Sequence, residues 1–100
     1  MSSKPIKVVI KKSDRDGKKL MAIFTMSNGR TKTTHFGADG MSDYTIHKDE
    51  ARRQRYLDRH RKRERWDKPT TAGSLSRYIL WNLPSRRASI NDYKKRFNLK

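Results

Sequence analysis

Apolar positions are sparse along this chain, and their spacing changes about a third of the way through it. Residues 6–10 (Ile-Lys-Val-Val-Ile) form a short β-branched run, and Asp16-Gly17 marks a turn after it. A second run covers Leu20 to Met26, followed by Ser27-Asn28-Gly29-Arg30. Asn-Gly suits the positive φ values of a two-residue type I′ hairpin, so a third strand is expected from Arg30 to Phe36. Such a turn sets Ser27 opposite Arg30, Phe24 opposite Thr33 and Ile23 opposite Thr34. Leu20, Ala22, Phe24 and Met26 then share the face that turns to the core, while Met21, Ile23 and Phe36 share the other.

Gly37 and Gly40 bound a break, and from Ile46 the spacing becomes helical. Thr45 is the expected N-cap, with Asp49 and Glu50 in the first turn. Ile46, Arg53, Leu57, His60 and Glu64 fall on one side with Tyr56 beside them, a thin apolar stripe. A second helix is marked by Ala72, Leu75, Ile79 and Leu83, and Pro84 stops it. Ser85 caps a third, in which Ile90, Tyr93 and Phe97 point inward. The pattern therefore predicts an α+β fold, β-β-β-α-α-α, with a three-stranded antiparallel meander followed by three helices packed on it. Strands are expected near 5–12, 19–27 and 30–36, and helices near 46–65, 70–82 and 86–97. Residues 1–4 are expected to be a flexible N-terminus ahead of a single domain spanning 5–100.

Composition shifts attention from the core to the surface. Of 100 residues, 36% are charged and 32% hydrophobic, so the core must be small and the aromatic side chains must supply much of it. The net charge is +16, an excess that works against compaction. A polyanionic partner accounts for it, because each phosphate neutralised releases a condensed counterion. There is no cysteine, so disulfides and thiolate metal sites are excluded. No apolar run approaches the ~20 residues of a membrane span, and no signal-peptide stretch stands at the N-terminus, which together point to a non-secreted, intracellular protein without a membrane partner.

The charge has a location. On a helical wheel for residues 46–65, Arg52, Arg55, Arg59, Lys62 and Arg63 fall within about one third of the circumference. Asp49–Arg53 and Asp58–Lys62 are spaced as ion pairs, yet four acids cannot neutralise nine bases in that segment. Arginine forks match phosphate geometry, which makes this face the expected nucleic-acid contact. Lys94, Lys95 and Arg96 form a second candidate patch. Arg86 and Arg87 open the last helix, where the dipole disfavours cations and a bound phosphate would relieve them. Tyr44 and Tyr56 are candidates for stacking on unpaired bases as well as for the core, whereas Trp81, Tyr78 and Phe97 are needed as core. His35, Asp39, Asp43, His47 and Asp49 cluster in sequence, and a metal-dependent nuclease could use them. Their spacing matches no metal motif, and no nucleophile–base pair or phosphate-cradling loop accompanies them, so neither an enzyme nor a cofactor is expected.

Longer motifs carry a resemblance. Residues 34–38 (Thr-His-Phe-Gly-Ala), 42–49 (Ser-Asp-Tyr-Thr-Ile-His-Lys-Asp), 56–60 (Tyr-Leu-Asp-Arg-His), 71–82 and 89–97 together resemble an uncharacterised family of small basic proteins encoded by giant, nucleocytoplasmic large DNA viruses. The likeness spans about two thirds of the chain. It implies a viral setting, in the virion, the viral factory or the host nucleus, and supplies no binding or catalytic residue. The resulting expectation is largely sequence-independent binding of nucleic-acid backbone, DNA ahead of RNA. A minor virion protein whose basic face docks an acidic partner is the alternative. The His35–His47 segment is too specific for charge neutralisation alone. Its expected role is to fix the junction between sheet and helices, through turns at Gly37 and Gly40 and hydrogen bonds from His35 or Asp43.

Overall fold

A computed structural model describes residues 3–100. Strands β1 (Pro5–Lys12), β2 (Lys18–Met26) and β3 (Thr31–Ala38) form an antiparallel sheet in the order β1-β2-β3. Four helices follow: α1 (Tyr44–His47), α2 (Glu50–His60), α3 (Ala72–Leu75), which runs directly into a π-helical turn (Ser76–Leu80), and α4 (Arg86–Arg96). The architecture is the α+β meander-plus-helices arrangement expected of the sequence.

The hairpin register differs by one residue. Ile23 pairs with Thr33 and Phe24 with Lys32, because the β2–β3 loop holds three residues rather than two. Gly29 N donates to Met26 O at 2.9 Å and Met26 N to Arg30 O at 2.8 Å, and only Gly29 has positive φ, at 87°. That is a turn completed by a left-handed glycine, in place of a type I′ turn with two left-handed residues. The consequence falls on Phe36. It pairs with Leu20 on the inner face and is fully buried, whereas a two-residue loop would have sent it outward.

The long helix expected over 46–65 is divided. Asp43, not Thr45, caps α1: its carboxylate accepts from the backbone N–H of Thr45 at 2.9 Å and also from the Thr45 hydroxyl. Lys48 is left-handed (φ 54°), which ends α1, and Asp49 then caps α2 by accepting from Ala51 N and Arg52 N. α2 stops at His60. Arg59 to Arg63 bring successive cations with an unfavourable like-charge i, i+4 pair at the ends, while the next residues are drawn away. Glu64 takes a hydrogen bond from Trp66 Nε1 at 2.9 Å, and Ser74 Oγ donates to Arg65 O at 3.2 Å.

Val8, Leu20, Ala22, Phe24 and Phe36 on the sheet pack against Leu75, Ile79, Leu80, Tyr93 and Leu99. The helix expected over 70–82 starts at Ala72 with Thr71 as its cap and ends in the π turn, closed by Trp81 N donating to Ser76 O at 3.0 Å. Widening the turn buries Ile79 and Leu80 together and leaves Leu83, expected inside, exposed beyond it. α4 closes with a Schellman motif. Asn98 is left-handed (φ 55°), Leu99 N donates to Lys94 O at 2.8 Å, and Leu99 turns into the core. Lys100 then pairs with the free edge of β1, through Val8 N to Lys100 O and Lys100 N to Ile6 O. Of the segment expected to be flexible, residues 1 and 2 lie outside the described residues. Lys4 makes two hydrogen bonds with Ser27, its N–H donating to the Ser27 side-chain Oγ and its carbonyl accepting from Ser27 N.

Candidate functional site

α2 sorts its arginines by role. Tyr56 and Leu57 face inward and are buried, and Arg53 turns the same way. Arg53 Nε donates to the carbonyls of Trp81 (3.2 Å) and Asn82 (3.0 Å), its Nη1 reaches Glu50 at 3.0 Å, and its guanidinium lies 5.5 Å from the Tyr44 ring centroid. It closes orphan carbonyls beyond the π turn, a structural task. Arg52, Arg55 and Arg59 flank that face on its outer side at spacings of three and four, within about 60° of arc. All three are exposed, and among the described residues none has a carboxylate within ion-pair distance. Asp58, expected to pair with Lys62, instead accepts from Gln54 Nε2 at 3.1 Å.

Lys62 and Arg63 are exposed and, among the described residues, in no ion pair, but they lie in the turn after α2 and not on its wheel. They follow the helix C-terminus, whose dipole favours cations, and so extend the basic stripe of α2 past its end. Lys94, Lys95 and Arg96 belong to the last turn of α4, a helix that packs on the π turn. There Arg96 is engaged by Asp92 (3.4 Å) and lies 4.5 Å from the Tyr78 ring centroid, and Lys94 is half-buried. The basic residues expected at the interface therefore fall into two groups, one continuous along α2 and its following turn, the other at the end of α4.

A cleft of about 390 Å³ opens beside α2. Lys18 from the start of β2, Arg59 and His60 from α2, Glu64, and Trp81 after the π turn all line it. Lys18 thereby reaches the same cleft as Arg59, although it comes from the sheet. Its neighbour Lys19 is occupied: Nζ lies 2.5 Å from Asp43 Oδ2 and 2.6 Å from Met41 O. Asp43 is 1% exposed, and Arg86 Nη2 approaches the same carboxylate oxygen at 3.9 Å. The cation at the start of α4 is thus met by a buried carboxylate within the fold. Gly37 closes the junction with φ 79° and no room for a Cβ, which would fall 2.8 Å from Leu80 Cδ1.

Three aromatic side chains, Trp81, Tyr56 and His60, stack in a column along the same wall. Tyr56 lies flat on Trp81 (centroids 4.3 Å apart, planes 3° apart), and His60 stacks on Tyr56 at 4.1 Å. His47 lies against Trp81 at 5.3 Å, tilted by 55° and outside the stack. His60 and Trp81 do not pair with each other, so they occupy opposite faces of Tyr56. Glu64 orients His60 by a 2.9 Å contact to Nδ1, and Glu64 is itself held by Trp66 and seated against Gly73. Burial raises the Tyr56 hydroxyl well above the ordinary tyrosine range. Tyr44 and Tyr56, weighed as base-stacking candidates, are buried, while Trp81, Tyr78 and Phe97 are only partly buried against the core. The i, i+4 spacings of Tyr56–His60 and His60–Glu64 were the sequence signal for this column.

The residues weighed for a nuclease do not converge. Among the described residues, no group of three His, Asp or Glu is placed to hold a metal ion. His35 Nδ1 is bound to Ser13 Oγ at 2.7 Å, and His47 Nδ1 accepts from Asp49 N at 2.9 Å. Asp43 is committed to its cap and to Lys19.

A three-stranded sheet thus leads into a helix, α2, that carries a row of exposed arginines. The chain belongs to a family of unknown function (DUF5754), whose model matches residues 8–60, from within β1 to the end of α2. That span contains Arg52, Arg55 and Arg59 but not Lys62, Arg63 or the α4 patch. Nothing among curated proteins or solved structures matches the chain.

Proposed function

We propose that this protein binds nucleic acid through its phosphate backbone, DNA ahead of RNA, with α2 and the turn after it as the contact. The observation that carries this reading is the row Arg52, Arg55 and Arg59, exposed and without acidic partners among the described residues, in a chain of net charge +16. Arg53, on the same helix, is by contrast fully engaged. Lys62 and Arg63 continue the row, and Lys18 flanks it across the cleft. The α4 residues Lys94, Lys95 and Arg96 are a secondary contact in this proposal, since Asp92 already shares the charge of Arg96. A role in binding rather than catalysis, and a setting inside a large DNA virus, belong to the same proposal. The second of these rests on the sequence resemblance alone.

Fluorescence anisotropy with short duplexes of unrelated sequence tests the reading. Affinity for all of them should agree within a few-fold, and log affinity should fall linearly with log salt. Absence of binding at low salt, together with capture of an acidic virion protein, would favour a docking role for the same face.

A further inference from the structure

The aromatic column has an end that the fold does not use. Tyr56 covers one face of the His60 ring, Glu64 holds its Nδ1 edge, and the side chain is still 37% exposed. With one face covered and the Nδ1 edge held, the other face and the remaining edge are what the ring has left to offer. The ring is already fixed on both counts that govern a stacking platform, orientation and support, so little side-chain freedom remains to be lost on contact. It lines a cleft whose size falls within the range of small-molecule sites, and Lys18 and Arg59, both exposed and without acidic partners among the described residues, line the same cleft. Column end, cleft and paired cations offer a flat aromatic face beside positive charge. That combination fits one unpaired nucleotide.

We propose that the free face of His60 stacks on a single unpaired nucleobase of a bound strand, while Arg59 and Lys18 hold the adjoining phosphate. This rests on the backbone-binding reading and sharpens it, because a paired base cannot reach a ring set in a cleft without leaving its stack. His60 is the residue that distinguishes single strands from duplex, and the α2 arginines serve both.

The test compares a labelled thymidine 12-mer, a fully abasic strand of the same length that keeps every phosphate, and a duplex of equal length. His60→Ala should weaken binding to the 12-mer about tenfold, the range of one base–aromatic stack, and leave duplex affinity within twofold. His60→Phe, which keeps a flat ring, should restore most of that loss. Wild-type protein should bind the abasic strand about tenfold more weakly than the intact one, a comparison that needs no variant to fold. Equal affinity of wild type for intact and abasic strands would overturn the proposal, as would an equal loss on strand and duplex in His60→Ala. Competition by thymidine monophosphate at micromolar concentration would overturn the assignment to a strand. Absence of binding to every probe would instead overturn the backbone-binding reading beneath it.

Discussion

Arg53 and Trp81 are joined by a side-chain-to-backbone hydrogen bond of 3.2 Å, and the same Nε reaches Asn82 O at 3.0 Å, tying α2 to the end of the π turn. A charged donor shared by two carbonyls on a partly buried side chain contributes about 2 kcal/mol. Arg53→Ala should therefore lower the stability measured by urea unfolding by about that amount. Its effect on nucleic-acid affinity at temperatures where the variant is folded should be less than twofold. The reverse is expected at Arg55, one turn-face away: unchanged stability and reduced affinity.

The sheet-to-helix junction gives the largest expected losses. Asp43 is buried with Lys19 Nζ at 2.5 Å and Arg86 Nη2 at 3.9 Å, and it caps α1. Asp43→Ala strands the Lys19 ammonium without its counter-charge and should cost about 3–5 kcal/mol. Thermal and urea unfolding would show it, and Asp43→Asn, which keeps a capping oxygen, should fall between the two.

Gly37→Ala should destabilise by about 2 kcal/mol, because φ is 79° and the new methyl would meet Leu80 Cδ1 at 2.8 Å. Gly40 has a similar φ of 82° but open space around it. Gly40→Ala should thus cost less than Gly37→Ala, and the difference between the two reports the Leu80 contact.

Stability should depend on pH through His47. Burial lowers its pKa from the ordinary value, and the Arg52 guanidinium lowers it further, against opposing attraction from Asp49 and Asp43. Nδ1 accepts from Asp49 N, and Nε2 is buried without a partner, so the folded state favours the neutral ring. The unfolded chain then binds the proton more readily than the folded one. The contribution is complete above the ordinary histidine pKa of about 6.5 and is lost as pH falls from there through the lowered folded value. His47→Asn, which retains an acceptor, should flatten that segment of the stability curve.

Much of this architecture was legible in the chain, and the failures are local. The inward row Leu20, Ala22 and Phe24 followed from alternation alone and is buried in the structure. Phe36 was assigned to the wrong face because Asn28-Gly29 is compatible with two loop lengths, and one residue of loop reverses every side chain in β3. The break at Lys48 escaped notice because a left-handed lysine has no sequence signature, although Asp49 is as good a cap as Asp43. The outward arginines were found by helical spacing, but Arg53 could be separated from them only once Trp81 and Asn82 were seen to fold back onto it. Spacing places a residue on a face, and only tertiary contacts say what that face meets. The approach of Lys18 to α2 was beyond reach for the same reason, since the two lie far apart in sequence.

The account stands most directly on the salt dependence of binding by the variant in which Arg52, Arg55 and Arg59 are all replaced by glutamine. Each phosphate contact contributes about 0.9 to the slope of log affinity against log salt for duplex DNA, so the triple variant should be shallower than wild type by about 2.7. Its circular dichroism spectrum should be unchanged, because none of the three supports the fold. A variant with the wild-type slope and wild-type affinity would contradict the assignment of α2 as the phosphate-binding face.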